Sequence, residues 1–270
     1  MAYSNPLSPT DLLVTRFNKL GPLSEQERGV LRLIEGRPKH TYRPDSRLLR
    51  ESAEMRGSHF IVTGWAAHVR ELSNDRRQIT SVLVPGDPIG LALQPQPLSP
   101  TSVVALTPLR TVEAPEIPLA WRDRDRVPGL SRALDLAAAE QECFLLSHIA
   151  RLGRQTAHER VASWILELEY RLSSRGLSNS GAFAFPLTQE ILADVLGLSV
   201  VHVNRTLQQM RRDGHIELAR GRLAILNREA LRAAGEFKAP LLSSWRLASS
   251  EGPPSELTAS HQRTLRSPGV

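Results

Sequence analysis

Arginine side chains concentrate between residues 205 and 222, in a pattern that supports one specific kind of chemistry. The arginines of this group are Arg205, Arg211, Arg212, Arg220 and Arg222. A guanidinium group can donate paired hydrogen bonds to phosphate oxygens or to the edge of a guanine base. The whole chain has 34 Lys and Arg against 28 Asp and Glu, a formal net charge of +6. This bias favours a polyanionic partner but does not by itself establish one.

The residues around these arginines predict two short helices joined by a glycine turn. Thr188 is suited to cap the first helix, and Gly197 supplies the left-handed residue that ends it. Ser199 is suited to cap the second helix. The inner face of the second helix carries apolar residues three or four apart: Val200, Val203, Leu207 and Met210. Its outer face carries His202, Asn204, Arg205 and Gln208. This arrangement is typical of a helix-turn-helix.

The segment that follows predicts a wing. After Gly214, the run HIELARGRLAIL alternates apolar and polar residues around Arg220-Gly221, as a β-hairpin does. Glu190 and Asp194, on the first helix, are expected to project elsewhere or to offset the arginines. The stretch from about Phe185 to Glu229 is therefore predicted to be a winged helix-turn-helix that binds double-stranded DNA.

The first half of the chain has a different pattern of apolar and polar residues. A helical pattern covers residues 11–34, and short runs of β-type residues then follow from about His40 to Pro118. Turn signals separate these runs at Asn74-Asp75, at Pro85-Gly86-Asp87 and in the proline-rich stretch 94–100. This pattern predicts a small β-barrel or sandwich with a helical lid.

A long helix is predicted after Pro128, and its apolar stripe resembles the a/d seam of a coiled coil. The stripe consists of Leu134, Ala138, Gln141, Leu145, His148 and Leu152. It favours pairing with a second copy of the same helix, and the alternative is packing on its own β-domain. Gly153 then separates this helix from the amphipathic run HERVASWILELEYRL, which suggests a hinge.

Together these motifs resemble the Crp/Fnr family of bacterial transcription regulators. The resemblance runs from the Pro85-Gly86-Asp87 turn, through the long helix, to HERVASWIL and LTQEILADVLGLSVVHVNRTL. It implies an α+β fold with a jelly-roll-like N-terminal β-roll, a long dimerisation helix and a C-terminal winged helix-turn-helix. The implied boundaries are 1–125 for the β-roll with its lid, 126–153 for the dimerisation helix, 154–232 for the DNA-binding domain and 233–270 for a disordered tail.

The resemblance also implies how DNA is bound. A homodimer would read a pseudo-palindromic promoter site whose half-site centres lie ~34 Å apart, with RNA polymerase as a further partner. The family's base-reading positions fall on Val201, His202, Asn204 and Arg205. Many members have a glutamate where Val201 stands, whereas valine offers only apolar contact, so a different half-site is expected. The full set of expected DNA contacts is Thr188, Gln189, Ser199, Val201, His202, Asn204, Arg205, Gln208, Arg212, Arg220 and Arg222.

The β-roll of this family often binds a cyclic nucleotide through a Gly-Glu pair and an Arg-Ser or Arg-Thr pair. Here Gly90 is followed by Leu91, and no arginine lies between Pro88 and Leu109. A buried cyclic phosphate would lack its charge partner, so cyclic nucleotide binding is not expected, although an unknown small effector is possible. Trp65 and Phe60 could line a pocket, but core packing is favoured for both.

Other kinds of site find little support. A single cysteine, Cys143, excludes an internal disulfide and an iron-sulfur cluster, which takes roughly four cysteines. Its interpretation as a small apolar residue is favoured over a redox-sensitive thiol. The eight histidines show no metal-binding spacing, and His148 is interpreted as a registry residue of the seam rather than a ligand. We therefore expect no metal and no cofactor.

Several classes of protein are also disfavoured. No catalytic motif is present, so an enzyme is not expected. No apolar stretch approaches the ~20 residues that cross a bilayer, and the start of the chain lacks the features of a secretory signal, so a cytoplasmic protein is expected. One alternative from another class stays open, namely a ligand-binding or protein-interaction module whose helix-turn-helix docks a protein partner.

Overall fold

The computed structural model describes residues 11–55, 57–73, 76–91 and 98–240. The turn at Asn74-Asp75, most of the proline-rich stretch and the predicted tail beyond residue 240 lie outside these residues. The described chain begins with two helices, α1 (Leu12–Leu20) and α2 (Glu25–Gly36), which form the predicted lid. A capping box starts α2, because the Ser24 hydroxyl accepts from the Glu27 amide and the Glu27 carboxylate accepts from the Ser24 amide.

Two four-stranded antiparallel sheets form the β-roll. In chain order the strands are β1 (Lys39–Tyr42), β2 (Arg47–Leu49), β3 (His59–Thr63), β4 (Ala66–Glu71), β5 (Arg77–Leu83), β6 (Pro88–Ile89), β7 (Ser102–Ala105) and β8 (Leu109–Glu113). One sheet has the order β1-β8-β3-β6 and the other β2-β7-β4-β5. Phe60 and Trp65 are buried in the core, as predicted, and the Phe60 ring meets the Phe17 ring of the lid edge-on.

A short helix, α3 (Ile117–Arg122), leads from the β-roll into the long helix α4 (Pro128–Arg154). Pro128 is the first residue of α4, where the missing proline N–H costs nothing. Glu27 of the lid caps this helix, since its Oε1 accepts from the Leu130 amide at 2.8 Å. At 1.5 Å per residue α4 is about 40 Å long.

The C-terminal part of the described chain contains both helices and short strands. Its elements are α5 (Ala157–Ser173), β9 (Ser178–Asn179), β10 (Ala182–Ala184), α6 (Gln189–Leu196), α7 (Val200–Arg212), β11 (Ile216–Ala219), β12 (Arg222–Ile225) and α8 (Arg228–Gly235). Another capping box, formed by Thr156 and Glu159, starts α5. The apolar face of α5 is buried as predicted, at Val161, Trp164, Ile165, Leu168 and Leu172. Helix α8, which the sequence did not suggest, packs on α5 through Gly235, where a Cβ atom would lie 2.4 Å from the Ser163 nitrogen.

Gly153 itself does not separate the two helices, and the hinge expected in its region stays a prediction. Gly153 lies inside the last turn of α4, which continues to Arg154. The helical path breaks at Gln155 and Thr156, both of which have extended backbone angles. The break is encoded by the cap of the next helix, because Thr156 must be extended for its side chain to bond the Glu159 amide.

The predicted seam of α4 also needs correction. Leu134 and His148 are buried against their own chain, at 1% and 7% exposure. Gln141 is half-buried and donates to the Ser81 hydroxyl of β5 at 3.1 Å. These three residues are seven apart and share one flank of the helix, and that flank is covered by other parts of the same chain. The exposed residues are Ala138 and Leu145 from the predicted set, together with Leu146 and Ile149. Packing within the chain therefore accounts for Leu134, Gln141 and His148.

Candidate nucleic-acid interface

Side-chain caps define both helices of the helix-turn-helix. The Thr188 hydroxyl accepts from the Ile191 amide at 3.3 Å and starts α6. Gly197, with φ 60° and ψ 41°, ends α6 in the left-handed conformation. The Ser199 hydroxyl then accepts from the His202 amide at 3.2 Å and starts α7. The three predicted caps are confirmed, and they fix the angle at which α7 leaves the turn.

Helix α7 presents one apolar face to the core and one polar face to solvent. Val203, Leu207 and Met210 are buried, and the outer positions His202, Arg205 and Gln208 are exposed. Val201 is 67% exposed. Asn204 is half-buried, at the edge of the outer face.

Two residues of α7 differ in detail from the prediction. Val200, predicted on the inner face, is 41% exposed, because it is the first residue of the helix and precedes the buried turns. The His202 side chain contacts the residue that caps its own helix, since its Nδ1 lies 3.2 Å from the Ser199 hydroxyl oxygen. The remaining predicted contacts at the start of α6, Thr188 and Gln189, are exposed.

The wing is a tight hairpin beside α7. Strands β11 and β12 pair so that Ala219 faces Arg222, and the two residues between them, Arg220 and Gly221, both have positive φ. This geometry is the two-residue turn that matches strand twist. Arg220 therefore lies at the tip of the wing, and Arg222 is the first residue of β12 after the turn.

The exposed arginines give this surface a basic character. Arg205, Arg211, Arg212, Arg220 and Arg222 are all exposed, and the Arg212 guanidinium also donates to the Gln209 side chain at 2.7 Å. Asp194 does not offset them, because it faces the β-roll and pairs with Arg77 at 2.6 Å. Glu190 is exposed at the start of α6.

A buried ionic cluster joins the β-roll to the C-terminal end of α5. The Asp87 carboxylate, from the Pro85-Gly86-Asp87 turn, pairs with Arg171 at 2.8 Å and with Arg175, both near the end of α5. Burial alone would raise the pKa of Asp87, but Arg175 and Arg171 outweigh it and lower the pKa to about 2. Sequence reasoning used Asp87 only as a turn residue. The available signal was Arg171, near the end of a mostly apolar helix, and Arg175, just beyond that helix.

The β-roll holds a cavity of about 390 Å³ at one end. Its described lining includes Gly90, Tyr42, His59 and two carboxylates, Glu54 and Glu113, but no arginine or lysine. Burial lowers the pKa of His59, so this side chain is neutral near pH 7. Trp65 and Phe60 are not among the lining residues. Within the described parts of the chain, no group of three or more His, Cys, Asp or Glu side chains is suited to a metal ion, and no helix is long and apolar enough to cross a membrane.

Comparison with known proteins gives matches to both halves of the chain. Residues 39–119 match the cyclic nucleotide-binding domain, and residues 159–234 match the Crp-like helix-turn-helix domain. The nitrogen fixation regulation protein FixK of Bradyrhizobium diazoefficiens is 31% identical over 60% of this chain and 68% of its own length. The transcriptional activator protein FnrL of Cereibacter sphaeroides is 32% identical over 58% of this chain and 64% of its own length. The structure of FixK2 from Bradyrhizobium japonicum superposes with a TM-score of 0.63 at 27% identity, covering 73% of this chain and 96% of that one.

Proposed function

The chain belongs to the Crp/Fnr family of DNA-binding transcription regulators, and from that premise we propose that it binds a pseudo-palindromic promoter site as a homodimer. Each subunit would insert α7 into one major groove, with the wing beside it on the sugar-phosphate backbone. The observation that carries this proposal is the outer face of α7, which stays exposed and polar while its inner face is buried.

Four residues of α7 are proposed to read base edges. Arg205 is long enough and suitably exposed to donate two hydrogen bonds to guanine. Val201 would contact a thymine methyl group, because its side chain has no hydrogen-bonding atom. His202 and Asn204 lie on opposite flanks of the outer face, the first exposed and the second half-buried, and would supply further polar contacts.

Phosphate contacts are proposed for the residues that surround these four. Thr188 and Ser199 lie at the N-termini of α6 and α7, where exposed amides and the helix dipole favour an anion. The other proposed contacts are Gln189, Gln208, Arg212, Arg220 and Arg222. These contacts would supply affinity without sequence preference.

The exposed stripe of α4 is the proposed dimer interface. Ala138, Leu145, Leu146 and Ile149 recur on one side of the helix, and the last three are 44%, 59% and 61% exposed. When a second copy of the helix covers such an apolar stripe, burial of the stripe stabilises the pair of helices. Pairing through α4 would bring two α7 helices to the same face of the dimer.

An effector would occupy the cavity of the β-roll. No arginine or lysine is among the described residues that line this space, so a cyclic phosphate would lack a charge partner there. We therefore infer that the chain does not respond to cyclic nucleotides and that any small effector is of another class. RNA polymerase is the proposed protein partner of the DNA-bound dimer, since a promoter-bound regulator acts on it.

A titration of duplex DNA at two salt concentrations tests the DNA-binding surface. Wild-type affinity should fall by on the order of a hundredfold or more between about 50 and 200 mM salt, because bound phosphates release counterions. Arg205→Ala should weaken binding to the preferred site by about 10- to 100-fold. Arg43→Ala, which removes an exposed arginine of the β-roll, is the matched control and should behave as wild type. Weak, salt-independent binding that ignores Arg205→Ala would favour a protein partner for the helix-turn-helix instead.

A further inference from the structure

Arg160 joins three segments of the chain that a DNA-reading dimer must hold in register. Its Nε donates to the Gln155 carbonyl at 2.8 Å, in the break between α4 and α5. One terminal nitrogen, Nη2, donates to the Leu152 carbonyl of α4 at 2.9 Å. The other, Nη1, donates to the Leu196 and Gly197 carbonyls at 3.0 and 3.3 Å, at the turn of the helix-turn-helix. We call α6, α7 and the wing (β11 and β12) the reading head. The half-buried side chain of Arg160 therefore bridges the long helix and the reading head.

Two of the four acceptors, the Leu152 and Leu196 carbonyls, share a physical property. The last carbonyls of any α-helix lack partners within the helix, and they form the negative end of its dipole. Leu152 belongs to the last turn of α4, and Leu196 is the last residue of α6. A positive charge with several donors therefore stabilises both helix ends at once.

Side-chain packing supports the same junction. A Cβ atom on Gly197 would lie 3.1 Å from Leu152 Cδ2 and 3.5 Å from Arg160 Nη1. The turn thus lies close to the end of α4, and a larger residue at Gly197 would require the Leu152 side chain to shift. Leu152, predicted to lie in the dimer seam, is half-buried and faces this turn instead.

We propose that Arg160 is a positioning residue that sets the orientation of each reading head relative to α4, and so selects the separation between half-sites. This inference rests on the proposed dimeric binding through α4. In such a dimer the α4 helices are the common frame, and the distance between the two α7 helices depends on the junction at which each head is attached. Arg160 itself lies in the first turn of α5 and takes no part in base contact.

Lysine cannot replace this side chain. The three nitrogens of a guanidinium group lie in one plane and can donate to carbonyls in three directions. The lysine ammonium group has one nitrogen and cannot reach all of these carbonyls at once. Arg160→Lys keeps the charge and most of the length but loses the simultaneous bridge. Arg154→Lys is the matched control, because Arg154 is exposed at the end of α4 and undergoes the same chemical change.

The test uses the full-length protein and a duplex selected from randomised DNA by the wild-type protein. Three forms of it are titrated: the complete site, the site with two base pairs inserted between its halves, and a single half-site. Wild-type protein and Arg154→Lys should bind the complete site best and lose affinity on insertion. Arg160→Lys should bind the complete site about tenfold more weakly, as expected when hydrogen bonds from a charged group are lost, and should show a smaller penalty for insertion. Its affinity for the half-site should match wild type, which also reports that its head is folded.

Two results would overturn the role of Arg160. One is an Arg160→Lys protein that equals wild type on all three duplexes. The other is a loss of half-site affinity as large as the loss on the complete site, which would mean that Arg160 only supports the fold of the head. If the wild-type protein itself ignores the inserted base pairs, the dimeric binding fails, and the role of Arg160 fails with it.

Discussion

The side-chain amide of Gln78, on strand β5, lies 2.7 Å from the main-chain oxygen of Asp194 in the last turn of α6. The same nitrogen lies 3.2 Å from the Val195 oxygen. Because Arg160 binds the next two carbonyls, the end of α6 receives hydrogen bonds from both the β-roll and α5. The reading head is thus attached to the β-roll through the backbone of its own helix-turn-helix.

Gln78→Ala should destabilise the protein by about 1–2 kcal/mol, because it leaves two helix-end carbonyls without their donor. Urea unfolding followed by circular dichroism measures this change in the free energy of unfolding. Gln26→Ala, at an exposed position of α2, is the control and should stay within about 0.5 kcal/mol of wild type. Equal values for the two variants would contradict the attachment.

Asp87→Asn should be more costly, because it leaves Arg171 and Arg175 buried without their carboxylate. We expect a loss of about 3–5 kcal/mol near pH 7. Folding lowers the pKa of Asp87 from 3.8 to about 2, so its carboxylate stabilises the fold above pH 3.8 and this contribution is lost as the pH falls toward 2.

Urea unfolding of the Asp87→Asn protein at several pH values between 2 and 6 separates this effect from general acid sensitivity. The variant should show a flatter pH dependence than wild type, whereas Asp125→Asn, at an exposed position, should retain the wild-type profile. A profile of Asp87→Asn that is parallel to wild type would show that the cluster does not titrate as described.

The helix-turn-helix could be predicted closely because its signals are local. Thr188, Gly197 and Ser199 act on neighbours within a few residues, and each takes the predicted role. The flank of α4 that faces the β-roll could not be predicted, because Leu134 and Leu145 look equivalent until the β-roll is in place. The partners of Asp87 lie more than 80 residues away, so no local pattern links them. Likewise, nothing in the spacing around Arg160 indicates that two helix ends converge on it.

Ile149→Glu should convert the proposed dimer to a monomer, since a charged residue would be buried within the paired stripe. Sedimentation velocity at micromolar protein measures the change. Leu33→Glu is the control, because Leu33 is 74% exposed on α2 and lies outside that stripe. A dimer that survives Ile149→Glu, or one that Leu33→Glu disrupts equally, would rule out α4 as the interface.

Isothermal titration with cyclic AMP and cyclic GMP should give no binding tighter than about 1 mM, because the described lining of the cavity offers no arginine or lysine to the phosphate. A heat signal that saturates at micromolar nucleotide would contradict this expectation. In that case, competition by inorganic phosphate would show whether the phosphate group is the part recognised.

The most direct test of the central claim is to select DNA from a randomised pool with wild-type protein and with Val201→Glu. We predict that wild type selects an inverted repeat whose half-site centres are about 10 base pairs apart. Val201→Glu should change the preferred base at one position, and at the symmetry-related position of the other half-site, because a carboxylate accepts a hydrogen bond from cytosine where valine cannot. Selected sequences that lack two-fold symmetry, or that are identical for the two proteins, would contradict base reading by α7.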